Sequence, residues 1–263
     1  MKEDPILEEV KDRIGFITLN RPDAFNAVNY EMMCRLEETV QKFSSRKDIS
    51  AIAIRGAGKA FCAGADLKSV LSNLDKPEKL EEYVDQIGRA FDSLETFPLP
   101  VVAVVQDYAL AGGFELLQAC DIIIAAETAR MGDQHANFWM IPGGGGAQRL
   151  AFSVGLHKAK DLLFTGRWLS GKEAVEAGIV SRAVPAEDLD ACLDELLTSL
   201  SEKSPVTLRK MKELINYNFK PVIRKGLEYE KSVFLRYIQS PSASEGLNAF
   251  SEKRKPQLKN INY

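Results

Sequence analysis

The stretch Asp107-Tyr108-Ala109-Leu110-Ala111-Gly112-Gly113-Phe114-Glu115-Leu116-Leu117-Gln118-Ala119-Cys120-Asp121 constrains the fold of this chain more than any other. It lies between two apolar runs, Val101–Val105 and Ile122–Ala126. The pattern predicts a strand, a turn of small residues, a short helix and a second strand. Two glycines in the turn allow a ligand to come close to the backbone. The first N–H groups of the helix have no partner inside it, and the aligned peptide dipoles add to their positive character. Glu115 follows Gly112 by three residues, about one helical turn. Donors for an oxyanion beside a carboxylate suit chemistry at a carbonyl. Tight helix–strand packing, with Glu115 complementing the dipole, accounts for the same residues, so the stretch alone leaves both readings open.

The flanking sequence supplies more strands and helices. Residues 6–19 predict a hairpin, which Asn20-Arg21-Pro22-Asp23 ends. Asn29 is a good N-cap for a helix carrying Met33, Leu36, Val40 and Phe43 at helical spacing. Residues 49–54 predict a buried strand, and the small-residue loop Lys59-Ala60-Phe61-Cys62-Ala63-Gly64-Ala65-Asp66-Leu67 follows it. Leu80, Tyr83, Val84, Ile87, Phe91 and Leu94 mark an amphipathic helix. Pro142-Gly143-Gly144-Gly145-Gly146 leads into another helix near Ala147. The remainder predicts helices, apart from a short strand within 179–184, with Pro185, Pro205, Pro221 and Pro241 at helix starts. Strands alternating with helices and then a helical tail indicate an α/β domain.

Composition narrows the function classes. With 45% hydrophobic residues in 263, the chain can bury a substantial core. A net charge of -3 without a basic stripe argues against nucleic acid as a partner. No apolar run is long enough to span a bilayer, so no membrane role is expected. The acidic, polar start Met1-Lys2-Glu3-Asp4-Pro5 shows neither a signal nor a transit peptide, which points to the cytoplasm. Cys34, Cys62, Cys120 and Cys192 are far apart without metal-ligand spacing and read as reduced thiols. His135 and His157 are the only histidines, too few for a zinc site or a Ser-His-Asp triad to be expected.

Five segments then fall in register. They are Asn20-Arg21-Pro22 with Asn26-Ala27, Gly58-Lys59-Ala60-Phe61-Cys62-Ala63-Gly64-Ala65-Asp66-Leu67, Ala111-Gly112-Gly113-Phe114-Glu115-Leu116, Ile141-Pro142-Gly143-Gly144-Gly145-Gly146-Ala147-Gln148-Arg149-Leu150, and Phe250-Ser251-Glu252-Lys253-Arg254-Lys255-Pro256. In these the chain resembles the crotonase family, the enoyl-CoA hydratase/isomerase superfamily. The resemblance implies an α/β fold: a crotonase-like spiral of ββα units with a C-terminal helical trimerisation region. It implies a core over residues 1–200 with the active site, residues 201–263 for oligomerisation, and a homotrimer or a hexamer made as a dimer of trimers. It implies an acyl-CoA thioester substrate whose oxygen sits between the amides of Ala65 and Gly112. Coenzyme A then arrives as part of the substrate, and no permanently bound cofactor or metal is implied. Ala63, Ala65, Asp66, Leu67, Lys68 and Gly112 would border the coenzyme, with Phe250 and Lys253 completing its site, in some relatives from a neighbouring subunit. Taken singly, Asp66 reads as a helix cap, and Lys68 and Lys253 as solvated side chains.

One departure bears on chemistry. Hydratases of this family carry two glutamates; Glu115 matches the first, and His135 stands where the second belongs. Asp133 is the next candidate. Three outcomes follow: His135 replaces the glutamate in hydration of a 2-enoyl-CoA; it serves isomerisation or carbon–carbon hydrolysis of a β-oxo acyl-CoA; or it only lines the pocket, with a catalytically weak binding protein as the non-enzymatic rival. Retention of Glu115 argues against the last, and hydration is the reading adopted. An ordinary histidine titrates near ~6.5, so activity is expected to change with pH there. Residues 70–95 with Phe114, Phe138, Trp139 and Met140 are expected around the acyl group. Leu227, Tyr229, Val233, Phe234, Leu235, Tyr237 and Ile238 are expected to form an assembly surface.

Overall fold

The hairpin over residues 6–19 is built from β1 (Ile6–Lys11) and β2 (Ile14–Leu19), antiparallel, with Ile6 opposite Leu19 and Lys11 opposite Ile14. The computed structural model describes residues 3–260. Asn29 caps α1 (Tyr30–Ser44): its side-chain oxygen accepts from the Met32 amide at 2.9 Å, and α1 buries Met33, Leu36, Val40 and Phe43. The chain returns in β3 (Ala51–Gly56), then runs through α2 (Leu67–Leu71) and α3 (Pro77–Thr96) to β4 (Val101–Val105). The central stretch supplies β5 (Tyr108–Leu110) and α4 (Gly112–Gln118), and β6 (Ile122–Ala126) follows. After these come β7 (Arg130–Gly132), α5 (Gly146–Val154), α6 (Leu156–Thr165), β8 (Leu169–Ser170), α7 (Gly171–Glu176), β9 (Arg182–Val184) and α8 (Leu189–Ser201).

Two sheets result, in the orders β1-β2-β3-β4-β6-β9 and β5-β7-β8. From β2 to β9 the larger sheet is parallel, and its central strands are buried on both faces. A strand covered twice needs apolar residues at every position, which is why these segments read as unbroken hydrophobic runs. Each turn of chain lays one segment in each layer: β3 and then Cys62, which bridges to Ala109; β4 and then β5; β6 and then β7. The smaller layer therefore brings Ala65, Gly112 and the segment after Gly132 together. Val28 pairs with Ala65, and the Ala111 amide donates to the Gly132 carbonyl at 3.0 Å.

The tail is α9 (Pro205–Tyr237) and α10 (Pro241–Ser251). Pro221 lies inside α9 and does not start a helix. Tertiary anchors override the bond its ring removes. Ile223 is buried, and Lys212 Nζ meets Asp121 Oδ2 at 2.5 Å and the Leu99 carbonyl at 3.3 Å. The assembly surface expected near the end of α9 is largely taken up within the chain. Ile238 is buried, Phe234 lines a cavity, and the Tyr237 hydroxyl donates to the Trp139 carbonyl at 2.6 Å. The exposed apolar residues of α9 lie mainly earlier: Val206, Met211, Leu214, Ile215, Tyr217 and Val222. Among the described residues no helix is long and apolar enough to cross a membrane.

Candidate active site

Ala111 takes φ +48° and ψ −120°, a conformation L residues seldom adopt, and so turns the chain from β5 into α4. The Gly112 amide that follows is the first of the helix. Ala65 lies against it: a Cβ built on Gly112 would stand 3.3 Å from the Ala65 nitrogen. Among the described residues neither N–H donates to a protein acceptor. Two free donors side by side at a helix start are what a developing oxyanion needs.

Glu115, in the first turn of α4, is buried. Its Oε1 accepts from the Gly144 amide at 2.8 Å and the Gly146 amide at 2.9 Å. The glycine run is needed for this approach. A Cβ at Gly144 would come 3.0 Å from Glu115 Oε2, and one at Gly146 would come 3.0 Å from Oε1 and 3.1 Å from Asp133 Oδ2. Burial pushes the Glu115 carboxyl above its ordinary range. The charge of His135 and the two amides oppose that rise, and Asp133 adds to it.

His135 opens the turn of 3-10 helix His135–Phe138 after β7. Its Nδ1 lies 2.8 Å from Asp133 Oδ1, which also accepts from the His135 amide at 3.1 Å. Burial favours the neutral imidazole. The charge of Asp133 and its hydrogen bond, with the charges of Glu115 and Glu230, outweigh that effect and push His135 up to about 9. The titration expected near ~6.5 for an ordinary histidine is therefore corrected upward. When the ring is protonated, Nδ1 donates to Asp133 and Nε2–H is left to donate elsewhere. Asp133 lines a cavity with His135, and its Oδ2 is buried and unpartnered among the described residues.

Glu115 and His135 face one cavity of about 60 Å³, with Ala65 and Gly112 at one wall and Val28, Val70, Leu80, Tyr83, Ile87, Phe91 and Phe234 around it. Several of residues 70–95 thus line this cavity. Phe114 does not: it is buried in the main core, because the helical turn points it away from Glu115. Met140 lines a second cavity of about 490 Å³, which His135, Asp133 and Glu230 share. Trp139 contributes its carbonyl to Tyr237.

The remaining sequence candidates divide. Asp66 caps α2 through the Lys68 amide at 3.2 Å and pairs with Arg21 at 2.8 Å, so its carboxylate has protein partners. Ala63 donates to the Phe25 carbonyl at 3.0 Å, Leu67 packs in the cluster around Val70, and Lys68 is exposed. Phe250 meets Phe138 edge-on with ring centres 4.9 Å apart, Lys253 is exposed, and neither lines the cavity at Glu115. Sequence reading missed Glu230, Phe234 and Arg149. Glu230 Oε1 accepts from the Gly145 amide at 2.7 Å and Oε2 from the Gln148 amide at 3.2 Å. Burial and the charge of Glu115 push it up to about 7, against those two amides. A lone carboxylate on the face Leu227, Glu230, Phe234, Tyr237 was the available signal.

A ββα spiral in two layers, with adjacent amides and a buried glutamate where the layers meet, defines a protein of the crotonase fold. The enoyl-CoA hydratase/isomerase family model matches residues 9–261, and the chain belongs to that family. The "Probable enoyl-CoA hydratase echA8" of Mycobacterium bovis is 39% identical over 258 residues, covering 98% of this chain and 99% of its own. Among solved structures, an enoyl-CoA hydratase from Bacillus anthracis is 33% identical with a TM-score of 0.79, covering 97% of this chain and 99% of its own. One from Mycobacterium avium subsp. paratuberculosis is 26% identical with a TM-score of 0.86, covering 97% and 98%.

Proposed function

We propose that this protein adds water to a 2-enoyl-CoA, Glu115 acting as base and His135 as acid. The observation that carries this is one apolar cavity holding both side chains beside the amides of Ala65 and Gly112. The thioester oxygen takes those two N–H groups, and charge moving onto it is stabilised by fixed donors. Ionised Glu115 removes a proton from water as its oxygen bonds to the β-carbon, and the imidazolium Nε2–H protonates the α-carbon. One water is added, and proton return between the two residues, directly or through solvent, resets the pair. Coenzyme A comes with the substrate, so the reaction needs no resident cofactor. Phe250 and Lys253, which do not line that cavity, suit a coenzyme site on a neighbouring subunit of a homotrimer or hexamer. Four unpaired thiols suit a reducing cytoplasm.

The Asp133–His135 pair also favours a second reading, hydrolysis of a β-oxo acyl-CoA: Glu115 takes a proton from the water that attacks the β-carbonyl, and the imidazolium held by Asp133 protonates the carbanion released as the carbon–carbon bond breaks. Mass spectrometry on a panel of acyl-CoA esters separates the two: gain of one water without cleavage means hydration, and two shorter products mean carbon–carbon hydrolysis. Glu115→Gln keeps the shape and removes the base, so hydration is expected to vanish while the ester still binds. An enoyl panel that gains no water, or a Glu115→Gln variant as active as the parent, overturns the proposal.

A further inference from the structure

The glycine loop is held from both sides. Its successive amides alternate in their acceptors: Gly144 and Gly146 donate to Glu115, and Gly145 and Gln148 to Glu230. The two carboxylates come from different parts of the chain, Glu115 from α4 in the core and Glu230 from α9 in the tail. Gly144 and Gly145 form the bend that enters α5, and Gly146 to Gln148 form its first turn, so the two carboxylates share the otherwise free amides of one helix start. Each carboxylate therefore helps to place the helix start that the other binds. The neighbours of Glu230 along α9 reinforce that placement. Leu227 fills the space a Cβ at Gly145 would take, and Phe234 the space at Gly143. Tyr237 ties the far end of the segment at Trp139.

We propose that Glu230 is a positioning residue of the Glu115–His135 pair: it holds the loop that holds Glu115 and lines one cavity with the imidazole. The inference rests on the reading of Glu115 and His135 as base and acid. It adds a third carboxylate, contributed by the helical tail, to a site otherwise made by the core. The charged groups around the pair are Asp133 on its own segment, Glu230 on α9, and Arg149 on α5. Arg149 Nη1 donates to the Gly144 carbonyl at 2.5 Å and its Nε to Glu95 of α3, also at 2.5 Å. Arg149 is thus held by the Gly144 carbonyl and Glu95, its charge lowers the Glu230 carboxyl, and Glu230 is the anion that α9 presents to the site.

Because the chain has two histidines, ring titration by nitrogen-15 nuclear magnetic resonance reports His135 without any turnover. In Glu230→Gln the His135 midpoint is expected to fall by roughly half a unit or more, since a nearby negative charge is lost. Glu230→Asp, which keeps the charge, is expected to restore most of it. Hydration by Glu230→Gln is expected to lose about tenfold or more in kcat with KM within about threefold, the signature of a lost transition-state arrangement. An unmoved His135 midpoint in folded Glu230→Gln overturns the inference whatever the activity. Should that variant not fold, the parent decides: the Gly145 and Gln148 amides should shift together with a midpoint near 7, and flat amides overturn the inference. A parent that hydrates nothing, yet whose His135 midpoint falls in Glu230→Gln, sinks the hydratase reading and leaves the positioning role standing.

Discussion

Replacing Asp133 by asparagine isolates the charge that keeps His135 protonated. The amide oxygen that Asp133→Asn introduces can still accept from Nδ1 and from the His135 amide, so the geometry survives while the anion is lost. The Asp133 side chain is 1% exposed and that of His135 15%, so solvent screens the pair weakly. His135 stands at about 9 against an ordinary value near ~6.5, a difference worth roughly 3 kcal/mol. Without Asp133 the imidazole should fall at least to the ordinary value, because burial then acts with less opposition. At pH 7.5 the imidazolium fraction would drop from about 97% to about 9%, roughly a tenfold loss of the acid form. Following the absorbance of a conjugated enoyl thioester across pH 6 to 10 measures this. The parent should lose kcat as pH rises through about 9, and Asp133→Asn should lose it around ~6.5 or lower. Stability should follow with the same sign. A histidine whose folded value is raised contributes stability fully present below ~6.5 and lost as pH rises through about 9, so the variant's deficit in Tm should be large at pH 6 and small at pH 10. A basic limb still near 9 in Asp133→Asn, or a flat parent profile from pH 7 to 10, refutes the reasoning.

Gly112→Pro removes one of the two free amides and should cost about 10²-fold or more in kcat, as loss of an oxyanion donor does; a folded variant near parental activity rejects Gly112 as a donor. Light scattering at micromolar concentration should return the mass of three or six chains, because the early part of α9 exposes Leu214, Ile215 and Tyr217 together, and a monomer mass contradicts this. Lys212→Met should destabilise by up to about 1 kcal/mol, read as a lower midpoint in urea, because the contacts of the ammonium with the exposed Asp121 carboxylate and the Leu99 carbonyl are lost. An unchanged midpoint would mean that the pair does not fasten the tail.

Much of the fold was legible because it is written in local periods. The hairpin, the Asn29 cap, the amphipathic α1 and α3 and the buried central strands each follow from residues within one segment. The turn that opens α4 was visible for the same reason, since its glycines and Glu115 are neighbours in sequence. Pro221 shows the limit: its local preference for a helix start lost to contacts that α9 makes with Asp121 and the strand ends, residues about a hundred positions away. Phe114 lies next to Glu115 in sequence, yet α4 sends it into the core and Glu115 to the cavity.

The sequence by itself determined the strands, the helices and the reactive residue types, because capping and hydrophobic periodicity act over a few residues. Only the tertiary structure decided the protonation of His135 and the role of Glu230. A proton's free energy in a buried site depends on every charge nearby, and those charges come from positions 115, 133 and 230. No spacing in the chain encodes that proximity; the spiral of the core and the return of α9 across the glycine loop create it.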